Sequence, residues 1–241
     1  MTIDRSGGCW AVVPAAGAGR RFGSTLAKQY LQVNGRCVLA WTLEALLAVT
    51  AIQRIVVALA SDDDLWPKLG FAGHPRISTC TGGASRAESV LNGLQQLAEW
   101  GVHPQQPVLV HDAARPCVTP PEIERLIAEV GDHPDGGLLA MPVRDTLKRA
   151  DSEGRVVVTV NRSGLWQALT PQLFPLGRLR AALERAAAEG VEVTDEAQAL
   201  ERIGACPRLV EGALHNIKLT HPSDQGLVER ILAGVRAAKP I

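Results

Sequence analysis

Short unbroken apolar runs alternate along this chain with longer stretches whose apolar residues recur at every third or fourth position. The first kind of pattern predicts buried strands at residues 10–13, 54–60, 108–110 and 136–141, with a weaker one at 76–81. The second predicts helices. Over 38–49 the residues Leu39, Thr42, Leu43, Leu46 and Leu47 share a face, and Val90, Leu91, Leu94 and Leu97 form another face further on. Leu176–Ala188 is a third amphipathic stretch. Ser61 reads as the N-cap of a helix with acids in its first turn. Thr194-Asp195-Glu196 opens a helix ending near Gly204, and Pro222-Ser223-Asp224 starts the last one. Residues 208–211 and 217–219 read as short late strands. Strand–helix alternation over the first two-thirds predicts an α/β fold: a Rossmann-like, doubly wound, mostly parallel sheet.

Past Pro142 the pattern changes. Residues 143–150 and 155–162 are charged and β-branched, and they flank the turn sequence Asp151-Ser152-Glu153-Gly154. This predicts a long hairpin. Its limbs are too polar for a buried sheet and too long to stand alone, so a partner subunit is the expected support, with the arm (about 143–163) used in dimerisation. With no internal repeat or low-complexity linker, one domain over 1–241 is expected.

Candidate chemistry gathers after the first strand. Pro14 breaks it, and Ala15, Ala16, Gly17, Ala18 and Gly19 follow, then Arg20, Arg21 and Lys28. Small residues let a ligand approach the backbone. Consecutive N–H groups can then converge on an anion, and the cations point to a polyphosphate. A Walker A loop fails on spacing, because the fifth residue after Gly17 is Phe22 and after Gly19 is Ser24. The dinucleotide fingerprint fails as well, since Phe22 stands where its third glycine belongs. The loop closely resembles the signature of nucleotidyltransferases that join a nucleoside triphosphate to a sugar or polyol phosphate. The alternative is a tight strand–helix turn with solvated cations.

Gly82-Gly83 leads into a helix and either offers a second helix N-terminus to a polar ligand or is an ordinary loop and cap. Asp112 follows a buried strand, at the sheet edge where α/β folds bind ligands, and a carboxylate there suits Mg²⁺. It could equally cap the next turn. Lys218, between apolar neighbours, is either a snorkelling edge residue or a ligand contact.

Composition narrows the class. The chain is 46% hydrophobic, enough for a sizeable core, and its formal net charge is zero. That argues against a bulk electrostatic nucleic-acid binder. Five cysteines carry no CxxC spacing and suggest neither a disulfide framework nor a zinc site. There is no apolar signal core at the N-terminus and no 18-residue apolar run, so a soluble, cytoplasmic protein is expected, with no membrane partner.

Several motifs occur in order: PAAGAGRR (14–21), KQY (28–30), GG-x-x-R-x-x-SV (82–90), VLVHDAARP (108–116), PVRDTLKR (142–149), GLWQALTPQ-x-F (164–174), TDEA (194–197) and NIKLT (216–220). Together they resemble the 2-C-methyl-D-erythritol 4-phosphate cytidylyltransferase family over roughly residues 9–232. The resemblance implies a homodimeric enzyme of the non-mevalonate isoprenoid route that uses CTP, a polyol phosphate and a divalent metal, normally Mg²⁺. It implies catalytic roles for Arg21, Lys28, Arg162 and Lys218. It implies nucleotide binding by Pro14, Ala15, Ala16, Gly17, Gly19, Gly83, Ser89 and Asp112, with Asp112 also serving the metal. Arg115, Thr146, Arg162 and Lys218 would hold the acceptor, partly from across the dimer. Ala84 and Asn161 depart from the family, where Asp is common. A cytidylyltransferase for another polyol phosphate, such as ribitol 5-phosphate, and a catalytically silent nucleotide-binding protein are the competing readings.

Overall fold

The computed structural model describes residues 8–17 and 27–237. Strand β1 (Cys9–Pro14) is followed by a small hairpin of β2 (Gln32–Val33) and β3 (Arg36–Cys37). Next come α1 (Val38–Leu47), β4 (Ile52–Leu59), β5 (Ile77–Thr81), α2 (Arg86–Glu99) and β6 (Pro107–Val110). Then follow α3 (Pro120–Val130), β7 (Gly137–Pro142), the antiparallel pair β8 (Leu147–Ala150) and β9 (Val156–Val160), and β10 (Trp166–Pro175). Helices α4 (Leu176–Ala188) and α5 (Glu196–Glu201), strand β11 (Arg208–Glu211) and helix α6 (Gln225–Ala237) complete the chain.

The main sheet has the order β11-β7-β10-β6-β1-β4-β5. Strand β10 runs antiparallel to β6 and β7, and the other neighbours pair in parallel. From β1 the chain moves outward to β4 and β5, then returns with β6 to the opposite side of β1. The crossover direction therefore reverses between β1 and β6, which opens a crevice at their carboxyl ends.

Period-two alternation divides the core. Ala11, Val13, Ile55, Val57, Leu109 and Leu139 face α1 and α3, whereas Val12, Val56, Val108, Val110 and Leu138 face α2, α4 and α5. A third cluster joins Val33, Val38 and Trp41 to Leu219, Val228 and Leu232, seating α6. Helix α2 crosses β1 closely: a Cβ at Gly93 would lie 2.6 Å from Val12 Cγ1, so only glycine fits without a shift. Cys9, Cys37 and Cys117 are buried free thiols, in keeping with their role as small apolar residues.

Two expectations need correction, and one strand had no counterpart among them. Ser61 starts no helix; it stands in a turn, and Asp63 Oδ1 instead accepts the N–H groups of Leu65 and Trp66 at the head of a 3₁₀ turn, Trp66–Leu69. Residues 217–219 are not a strand. Leu219 N–H bonds Ala114 O at 2.8 Å, so the segment crosses the carboxyl edge of the sheet rather than extending it. Strand β10 was not foreseen. It carries Pro171 in its interior, and its pairing with β7 shifts register between Ala168 and Gln172. The expected hairpin is present as β8–β9, hydrogen-bonded only to itself among the described strands, with Val156 and Val157 each 64% exposed.

Candidate active site

The crevice at the β1/β6 switch is a cavity of about 600 Å³. One wall is the end of β1. Pro14, Ala15, Ala16 and Gly17 line it, and Ala15 N–H is held by Ala58 O at 2.8 Å. The buried Gln29 pins this loop, its Nε2 donating to Ala15 O at 2.7 Å and Gly17 O at 3.2 Å. Lys28, beside it in the 3₁₀ turn Lys28–Tyr30, also lines the cavity. Gly19 and Arg21 lie outside the described residues.

The opposite wall is the loop from β5 into α2. Gly83, Ala84, Ser85 and Ser89 line it. Ser85 caps α2, accepting Glu88 N–H at 3.1 Å, while Glu88 Oε2 accepts Ala84 N–H at 2.8 Å. Ser89 Oγ accepts Gly83 N–H at 3.0 Å and donates to Ser85 O at 2.9 Å, so its hydroxyl sets the shape of the glycine loop. Gly82 is required there, because a Cβ would lie 2.4 Å from Ala16 Cβ. The two walls touch at that point.

The floor is charged. Asp112, just past β6 and 6% exposed, meets three cations: Arg86 Nε at 2.8 Å from Oδ1, Lys218 Nζ at 2.8 Å from Oδ2 and Arg115 Nε at 3.6 Å from Oδ2. Burial alone would raise the carboxyl, but Arg86, Lys218 and Arg115 outweigh it and hold Asp112 well below the usual carboxylate range. Arg86 in turn makes a two-pronged pair with Glu196, at 2.6 and 3.0 Å. Burial opposes its charge, yet Glu196 and then Asp112 keep it protonated above its ordinary value.

Beneath Asp112 lies a polar chain. Asp112 N–H donates to Thr170 Oγ1 at 3.1 Å, and Thr170 Oγ1 lies 2.9 Å from His111 Nδ1. His111 Nε2 is 3.1 Å from Arg115 O, which can only accept, so the ring hydrogen sits on Nε2 and Nδ1 accepts from the threonine. Burial pushes His111 down to about 4, so the ring is neutral near pH 7. Asn216 Nδ2 bonds Thr170 O at 2.9 Å and Arg115 Nη1 bonds Asn216 O at 2.8 Å, which fixes the segment carrying Lys218.

Of the residues expected at a site, the described part of the phosphate loop, Lys28, Gly83, Ser89, Asp112 and Lys218 share this cavity. Arg115 lies behind it against Asp112. Thr146 and Arg162 are at the base of the β8–β9 arm and do not line it; Arg162 bonds Arg144 O there. Gln29, Arg86, His111, Thr170 and Glu196 were not singled out from sequence. All five stand inside the quoted motifs, but the pairing of Arg86 with Glu196 is a long-range contact that no local pattern reports.

Among the described residues, Asp112 is the one acidic residue lining the cavity, and no group of three His, Cys, Asp or Glu side chains that could hold a metal occurs. Such a donor set cannot cage a cation alone. It fits Mg²⁺, which takes one or two carboxylates and completes its shell with substrate phosphates and water.

A doubly wound sheet with a small-residue loop, lysines and one carboxylate at its switch point defines the nucleotide-binding α/β transferases that work on phosphates. The comparisons narrow this. The model of the family described as IspD, 2-C-methyl-D-erythritol 4-phosphate cytidylyltransferase, matches residues 9–234, and the chain belongs to that family. The family's curated protein from Ectopseudomonas mendocina is 53% identical over 226 residues, covering 92% of this chain and 96% of that one. A Pseudomonas putida relative is 49% identical over 97% of this chain and all of its own length. A crystal structure of 4-diphosphocytidyl-2C-methyl-D-erythritol synthase superposes with a TM-score of 0.82 at 40% identity, covering 93% of this chain and 98% of that one. The Francisella tularensis family member gives 0.80 at 34%, over 93% of this chain and 99% of its own.

Proposed function

We propose that the cavity joins CTP to 2-C-methyl-D-erythritol 4-phosphate, giving 4-diphosphocytidyl-2-C-methyl-D-erythritol and pyrophosphate. The observation that carries this reading is the convergence of the small-residue loop, Lys28, Asp112 and Lys218 on one cavity in a chain of this family. An oxygen of the acceptor phosphate attacks the α-phosphorus of CTP, and the bond from that phosphorus to the β-phosphate bridging oxygen breaks in line. No protein nucleophile is needed, so the protein contributes positioning and charge stabilisation. The backbone of Ala15, Ala16, Gly17 and Gly19 cradles the triphosphate. Arg21 and Lys28 neutralise charge on the transferring group and on the departing pyrophosphate. Gly83 and Ser89 shape the nucleoside side of the cleft. Lys218 orients the attacking phosphate.

Mg²⁺ would be held by Asp112 together with the nucleotide's phosphates and would neutralise triphosphate charge. Thr146, Arg162 and Arg115 complete the acceptor side, the first two brought in by the arm. Exposed Val156, Val157 and Val158 on that arm support a homodimer in which the arm packs on a second copy, and we read the whole chain as one transferase unit. No described helix is long and apolar enough to cross a membrane. Pyrophosphate release with CTP and each of two acceptors tests the assignment. Methylerythritol phosphate should support turnover and ribitol 5-phosphate should not; the reverse would reassign the acceptor, and release with neither would leave a silent binding protein.

A further inference from the structure

The three cations on Asp112 are not equivalent. Lys218 and Arg115 approach Oδ2, whereas Arg86 gives Oδ1 a single N–H and turns its other two nitrogens away to Glu196. Left to itself, a guanidinium prefers to take a carboxylate with two parallel hydrogen bonds. An Arg86 without Glu196 would be free to take both oxygens of Asp112. Glu196 is fully buried and lies outside the lining of the cavity. Its position is fixed by its surroundings: it is the first residue of α5, whose N-cap Asp195 accepts Gln198 N–H at 2.9 Å and Gln172 Nε2 at 3.0 Å. Gln172 Oε1 accepts Ala197 N–H at 2.9 Å, tying that helix start to β10. A buried ion pair is an expensive way to fill space, because apolar side chains of similar volume serve packing as well or better.

We propose that Glu196 is a positioning residue: by occupying the Arg86 fork it restricts Arg86 to Oδ1 and keeps it off Asp112 Oδ2, the oxygen that the cavity-lining Lys218 holds and would yield to the divalent cation that accompanies the nucleotide. This rests on the reading of Asp112 as the cation's protein ligand. Groups that orient a metal ligand are commonly worth 10–100-fold in metal affinity.

The test is Mn²⁺ binding to the full-length protein with CTP present, followed by the spin-resonance signal of free Mn²⁺ and corrected with a protein-free CTP control. Glu196→Gln keeps the volume but loses the charge. It should weaken protein-dependent Mn²⁺ binding about 10–100-fold while the variant stays folded by near-UV dichroism. Arg86→Lys keeps a positive charge but cannot reach both carboxylates, and should loosen Mn²⁺ similarly; it decides the matter if Glu196→Gln does not fold. Unchanged Mn²⁺ affinity in folded Glu196→Gln, with Asp112→Asn binding weakly, overturns the positioning role and leaves the metal reading intact. Unchanged affinity in both variants overturns the two together.

Discussion

Lys218 Nζ lies 2.8 Å from Asp112 Oδ2, although Lys218 sits in an irregular segment far along the chain. The ammonium and the carboxylate are the two groups that a phosphate and a metal ion would each seek. They satisfy each other, which helps a buried acid stay ionised.

Lys218→Met removes one of three cations on Asp112 while Arg86 and Arg115 remain. Losing a donor aimed at developing charge costs about 10²–10³-fold in turnover. The remaining partners limit the loss of stability to about 1 kcal/mol, a melting shift of roughly 2–4 °C for a chain of this size. Steady-state pyrophosphate release and calorimetry on the same sample check both. A large melting loss with turnover falling only in proportion would make Lys218 structural.

At Gly93 an added Cβ would meet Val12 Cγ1 at 2.6 Å. Overpacking of this kind costs about 1–3 kcal/mol, against about 1 kcal/mol gained from the helix preference for alanine over glycine. Gly93→Ala should therefore destabilise the wild-type background. With Val12→Ala the obstruction is gone and the same change should stabilise. A denaturant double-mutant cycle reads this reversal of sign.

Asp224 Oδ2 accepts the N–H groups of Thr220 and His221 at 2.8 and 2.7 Å, anchoring the end of the Lys218 segment to α6. Burial works against the ionised carboxyl, but these two backbone donors outweigh it and lower Asp224 from its ordinary value. A carboxyl lowered in the folded state adds stability above its unfolded pKa, and that stability is lost as pH falls through the folded value. Asp224→Asn should thus cost stability at neutral pH and progressively less as the solution is acidified below the usual carboxylate range. Urea midpoints measured across that range for both proteins should converge at the acid end.

The parts of the fold that obey a short-range rule were readable from the chain. Apolar runs placed β1, β4, β5, β6 and β7, and the polar, β-branched limbs placed the arm. Strand β10 was hidden because its middle holds Pro171 and the buried Gln172, which is polar for a reason outside the strand: it bonds Asp195 and the Ala197 N–H at the start of α5. Residues 217–219 looked like a strand because Ile217 and Leu219 are apolar, but Leu219 is apolar in order to seat α6. At the site, the phosphate loop, Lys28 and Asp112 announce themselves by residue type after a strand. Arg86–Glu196 and His111–Thr170 could not, because each pair is assembled only when the sheet brings α2 to α5 and β6 to β10. Arg21 and Gly19 remain legible from sequence alone, lying outside the described residues.

The most direct measurement is a crystal structure of the protein with CTP and Mg²⁺. The triphosphate should lie against the backbone of Ala15, Ala16 and Gly17, with Lys28 Nζ reaching a phosphate oxygen and Asp112 facing the metal. CTP bound away from this crevice, with Lys28 and Asp112 untouched, would contradict the assignment.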